Sequence, residues 1–114
     1  MRYLLLIHVD EKQLKDWTPE QWDKAMAGCK DMIADMQQAG VYLASERLQP
    51  TATATTVRVR NGKTLLTDGP FIETKEQLGG FYMIDVPGQE EALEWAKRLP
   101  QATFASVEVR AVQV

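Results

Sequence analysis

The sequence predicts an α+β domain in which two β-α-β units flank an inserted β-hairpin. Three observations lead to it: an apolar run near the start, a capped amphipathic segment after it, and an Asn-Gly turn inside an alternating stretch, beyond which the strand and helix signals repeat. At 114 residues the chain has the usual size of one domain.

Tyr3 to Val9 is apolar at nearly every position, which suits a central strand covered on both faces. Thr18-Pro19-Glu20-Gln21 then offers a hydroxyl N-cap, a Pro at the first helical position and a Gln at the third, so the first backbone donors of a helix find acceptors. Trp22, Met26, Cys29, Ile33 and Met36 recur at spacings of four and three, forming a stripe that Asp23, Lys30, Asp31 and Asp35 avoid. Met26, Met32 and Met36 read as helix core rather than a ligand box, Cys29 on the same stripe reads as inert, and Gly40 ends the helix.

Val41 to Leu48 reads as a second strand. Thr55 to Arg60 alternates β-branched with basic residues up to Asn61-Gly62, a strong hairpin-turn signal, and Lys63 to Thr67 returns. Asp68-Gly69-Pro70 breaks the pairing and opens a loop through Lys75. Leu78 to Val86 is the next strand, a helix puts Ala92, Trp95, Ala96 and Leu99 on one face, Pro100 stops it, and Ala105 to Val114 is the last strand. This order is the split β-α-β, or ferredoxin-like, arrangement with both helices on one sheet face. Because the first strand is apolar on both sides, its helix-free side should meet another surface, most simply a second copy of the chain.

Composition narrows the partners. A net charge of −3 and a pI near 5.1 supply no basic footprint for a phosphate backbone, so nucleic acid is not expected. Leu4-Leu5-Leu6-Ile7 is too short for a signal-peptide core, and nothing approaches the ~20 apolar residues of a membrane span. The single cysteine, Cys29, has no partner for an internal disulfide, and a cytoplasmic location is expected.

One ordered set of residues goes beyond composition. Thr67-Asp68-Gly69-Pro70-Phe71, followed by Glu73-Thr74-Lys75-Glu76 and Leu78-Gly79-Gly80-Phe81, resembles the DGPF-type branch of the YCII-related family. Leu48-Gln49-Pro50, Thr56-Val57-Arg58 and Val107-Glu108-Val109-Arg110 extend the resemblance over most of the chain. It implies a ferredoxin-like domain that pairs into a dimeric α/β barrel. The activity suggested for the family comes from a His and Asp pair and from likeness to muconolactone isomerase-like proteins. In YCII-like relatives that histidine lies on the first helix, whereas here His8 is the only histidine and none falls between Pro19 and Ala39.

The residues that can carry chemistry are few. His8 has the side chain that ordinarily changes charge near neutral pH, which suits a general acid or base; the competing reading is a hydrogen-bonded interface histidine. Asp68 and Glu73 join it as candidate catalytic groups, although an Asp before Gly-Pro also holds a turn by accepting backbone hydrogen bonds. Glu46, Lys75, Tyr82, Glu108 and Arg110 are candidate ligand-binding residues, with Arg47 and Trp17 near them, around a small anionic or aromatic compound; the alternative is a polar interface network. One His and one Cys do not make the usual zinc or iron site, no cofactor motif occurs, and none of either kind is expected. The sequence itself identifies no reaction. Its residues fit a cofactor-independent enzyme or small-molecule-binding homodimer, and they also fit a non-catalytic regulatory or protein-interaction module.

Overall fold

The computed structural model describes all 114 residues. Strand β1 (Arg2–Val9) leads through a short helix, α1 (Glu11–Lys15), into the long helix α2 (Pro19–Gln38). Then come β2 (Tyr42–Arg47), the hairpin β3 (Thr55–Arg60) and β4 (Lys63–Asp68), β5 (Gln77–Asp85), α3 (Gln89–Arg98) and β6 (Ser106–Ala111), with 3₁₀ turns at Thr51–Thr53 and Pro100–Thr103.

Local chemistry accounts for most of these limits. The Thr18 hydroxyl accepts from the Gln21 amide at 3.2 Å while the Gln21 side chain accepts from the Thr18 amide at 2.8 Å, a reciprocal cap on α2. Gly40, at φ 76°, turns the chain out of that helix through the left-handed region. Asn61 and Gly62, at φ 52° and 75°, make the two-residue turn that suits the twist of β3 and β4. The short α1 lacks an apolar stripe and is held by a cap: the Asp10 carboxylate accepts from the Lys12 and Gln13 amides.

The main sheet has the order β2-β5-β1-β6, and every neighbouring pair is antiparallel. Both helical crossovers therefore skip one strand, and the architecture is the ferredoxin-like α+β arrangement the element order predicts. The hairpin forms a separate two-stranded sheet whose residues are largely exposed. No helix is long and apolar enough to cross a membrane.

Alternation along the strands sorts the two faces. Tyr3, Leu5 and Ile7 of β1 and Tyr82 and Ile84 of β5 pack under the helices with Met32, Met36, Ala92, Ala96 and Leu99. On the helix-free face Leu4 lies opposite Met83 and Leu6 opposite Phe81, all four half-buried.

Two sequence expectations are corrected. The α2 stripe is divided: Met32 and Met36 enter the core, whereas Trp22, Met26, Cys29 and Ile33 are only partly buried, because the sheet and α2 diverge beside them and leave a cavity. The last strand ends at Ala111, not Val114. The pairing with β1 closes with the Val112 amide bond to the Arg2 carbonyl, and the Met1 backbone is turned to Val86 instead.

Candidate functional site

The cavity lies between α2 and the sheet and encloses about 400 Å³, a volume that suits a small organic molecule. Two glycines in β5 shape it. The register of β1 against β5 slips between Ile7 and His8, leaving Gly79 unpaired beside Val9. A Cβ on Gly80 would stand 2.8 Å from the Glu46 carbonyl oxygen, so only glycine lets β2 and β5 approach this closely here.

The cavity walls are apolar and aromatic, with Trp22, Met26, Ile33 and Phe104 among them. Trp17 stacks edge-on against both Trp22 and Phe104, with ring centres 5.0 and 4.6 Å away, and so fixes their orientation. One end of the cavity is polar. The Gln101 amide nitrogen donates to the Tyr82 hydroxyl at 3.0 Å and to the Cys29 sulfur at 3.1 Å. Gln101 Oε1 is buried without a hydrogen-bond partner. Burial, reinforced by the neighbouring Cys29, pushes the Tyr82 phenol well above its ordinary pKa, so it stays neutral. Gly28 makes this cluster possible: a Cβ there would meet Pro100 Cγ at 2.8 Å and drive the Pro100–Thr103 turn, Gln101 included, off the helix.

A second polar cluster lies on the opposite, helix-free face. His8 Nε2 is 2.9 Å from Glu108 Oε1, and Arg110 Nε donates to Glu108 Oε2 at 2.9 Å with a second bond from its Nη2. The register explains the meeting: Leu6 pairs with Glu108 and Leu4 with Arg110, so both charges share the face of His8. Arg110, then His8, holds the Glu108 carboxyl below the usual carboxylate range.

The residues singled out from the sequence are thus divided between places. His8, Glu108 and Arg110 come together. Glu46, opposite Phe81 in the register, shares their face on the far side of β5. Tyr82 does not join them: it pairs with Leu5, whose side chain is wholly buried under the helices, so strand parity puts its ring in the other layer. Arg47 and Trp22 are also on the helix side, the guanidinium 4.5 Å over the indole ring. Asp68 ends β4, while Glu73 and Lys75 stand exposed on the following loop, and none of the three lines the cavity or bonds to His8. Glu76 ties this loop to the His8 face, accepting from the hydroxyl of Ser106, the residue opposite His8 in the sheet.

Gln101, Lys15, Glu11 and Phe104 are cavity residues without a periodic signal of their own. Gln101 and Phe104 follow the helix-stopping Pro100 in a non-repetitive turn, and Lys15 and Glu11 belong to the stripe-free α1. Cys29 reads as inert from the sequence because helical spacing locates a face without showing what lies against it.

Comparison with known proteins agrees with the fold. The YCII-related domain profile matches residues 1–114. The chain is similar to an uncharacterized protein, R00369, of Rhizobium meliloti (strain 1021), at 39% identity over 112 residues, covering 96% of this chain and 90% of that protein. With a family profile spanning the whole chain and this relative aligned over nearly all of it, the protein belongs to the YCII-related family.

Proposed function

We propose that this protein binds a small organic molecule in the cavity between α2 and the sheet, without a cofactor and as a homodimer. The observation that carries the reading is the cavity itself: about 400 Å³ of space under apolar and aromatic walls, with Tyr82, Cys29 and Gln101 converging at one end. Such a pattern suits a mostly apolar ligand oriented by a few polar contacts. A neutral phenol and an amide can each donate or accept, so the polar end fits a carbonyl, lactone or phenolic group.

A thermal-shift screen with a broad metabolite panel tests it. Ligand at about 100 times its Kd adds roughly 2.7 kcal/mol to the folded state. Ala25 lines the cavity and is 8% exposed, so Ala25→Leu fills space there and should abolish the shift. Stabilisation that persists in Ala25→Leu, or no stabilising compound at all, removes the cavity from the function. Turnover of the compounds that bind then separates an enzyme from a non-catalytic sensing or interaction module.

One observation favours a second reading, proton transfer on the helix-free face. The 2.9 Å contact between His8 and Glu108 resembles a general base with its orienting carboxylate. In a dimeric α/β barrel a second copy would cover Leu4, Leu6, Phe81 and Met83, enclose this pair and bring the Asp68 to Glu76 loop toward it. The Asp68-Gly69-Pro70-Phe71 run supports assignment to the DGPF-type branch, and the lone cysteine supports a cytoplasmic setting. Loss of turnover in folded His8→Ala, together with a dimer in sedimentation, would favour this reading. A monomer that keeps full activity without His8 would end it.

A further inference from the structure

We propose that the ligand of the helix-side cavity is an organic anion, a carboxylate carried on an apolar or aromatic body. This deepens the cavity reading above and rests on it. Two cations line the cavity and neither forms an ion pair. Arg47 follows Glu46 on β2, and the alternation that sends Glu46 to the helix-free face brings Arg47 to the helix side. There its guanidinium lies 4.5 Å over Trp22, and its only side-chain hydrogen bond is a long one, 3.8 Å, to the Met26 sulfur. The contact with the ring holds the guanidinium in place while leaving most of its N–H donors, the part that matches a carboxylate, without protein partners.

Lys15, in the last turn of α1, supplies the second cation. Two acidic residues, Glu11 and Glu46, border the cavity: the Glu11 carboxylate is occupied by the Thr51 amide, at 2.9 Å, and the Thr51 hydroxyl, while Glu46 pairs with Phe81 and by strand alternation directs its side chain to the helix-free face. With the Glu11 carboxylate engaged and the Glu46 side chain turned to the other face, Arg47 and Lys15 present unpaired positive charge above apolar walls. A cationic ligand would meet that charge, and the Trp22 face that would otherwise attract it is already covered by Arg47. A carboxylate directed at the Arg47 edge would neutralise the charge while its apolar body lay against Met26, Ile33 and Phe104.

Three probes of one shape test the class: 4-phenylbutyrate, its amide, and 4-phenylbutylamine, titrated into the full chain at low salt by calorimetry or NMR. The acid should bind about tenfold tighter than the amide, the worth of one charge-assisted hydrogen bond at a part-exposed site, and the amine should bind more weakly than either. Arg47→Gln should reduce the acid to the level of the amide and leave the amide unchanged. Lys15→Gln, an exposed change that spares the Trp22 stack, should remove part of the same preference. Equal affinity for acid and amide, or an amine that binds as tightly, overturns the anion proposal while the cavity reading stands. If none of the three binds and no panel compound stabilises the fold, both fall.

Discussion

Replacing Tyr82 by Phe probes the polar end of the cavity with two independent readouts. The substitution removes one oxygen from a ring that is 4% exposed and leaves the packing volume nearly unchanged. What is lost is the acceptor for the Gln101 amide at 3.0 Å. A buried donor left wholly without a partner costs up to about 3 kcal/mol, but here the same nitrogen keeps the Cys29 sulfur at 3.1 Å, a weak acceptor. The cost should therefore fall near about 1 kcal/mol, which for a domain of this length lowers Tm by roughly 3–6 °C. Calorimetry at neutral pH measures it, and a double-mutant cycle with Cys29→Ala should show coupling, because both residues accept from the same Gln101 amide nitrogen. The alkaline side gives the second readout. A phenol whose folded pKa is raised contributes stability in full below the unfolded tyrosine value of ~10, and loses it as pH climbs above that value toward the folded pKa. Wild-type stability should thus decline above roughly pH 10 more steeply than that of Tyr82→Phe. A variant with unchanged Tm and the same alkaline slope would show that the Tyr82 oxygen has no part in a buried network.

Other consequences follow from the same geometry. Glu108 is held low by Arg110 and His8, so its contribution is present above the ordinary carboxylate pKa and is lost as pH falls through the lowered one; the Tm gap between wild type and Glu108→Gln should close between roughly pH 6 and pH 3, and a gap independent of pH would contradict it. Gly80→Ala sets a Cβ 2.8 Å from a backbone oxygen that no side-chain rotation can relieve; urea unfolding should show a loss of about 2 kcal/mol or more, and a neutral result would mean that β2 and β5 are not so close. Gly62→Ala strains a residue at φ 75° in the hairpin turn. Because β3 and β4 form their own sheet, amide exchange should speed up in the hairpin while the four-stranded sheet keeps its protection, and equal loss in both would show that they unfold as one unit.

Much of the architecture is legible along the chain because its causes are short-range. The Thr18 to Gln21 cap, the Asn61-Gly62 turn, the glycine exit at Gly40 and the two-residue period of the strands each depend on neighbours a few positions away. Their order is enough for a ferredoxin-like domain. The Asp68-Gly69-Pro70-Phe71 region likewise pointed to the family to which the chain belongs.

The candidate site is long-range. Cys29, Tyr82 and Gln101 lie far apart in sequence and meet only because Gly28 lets the Pro100 turn rest on α2 and because β5 runs between β1 and β2. Strand period assigns Tyr82 and Glu108 each to a face of its own strand. Whether those faces coincide depends on the register of β5 and β6 against β1, which puts Tyr82 under the helices and Glu108 beside His8. The sequence by itself determined the strands, the two longer helices, their order and the family; the tertiary structure alone showed the short α1 and decided which side chains share a layer, where α2 lifts from the sheet, and hence that a cavity with unpaired Arg47 and Lys15 exists. The reason is physical: turns and caps are closed by adjacent residues, whereas a cavity is the space left when distant surfaces pack and cannot quite meet.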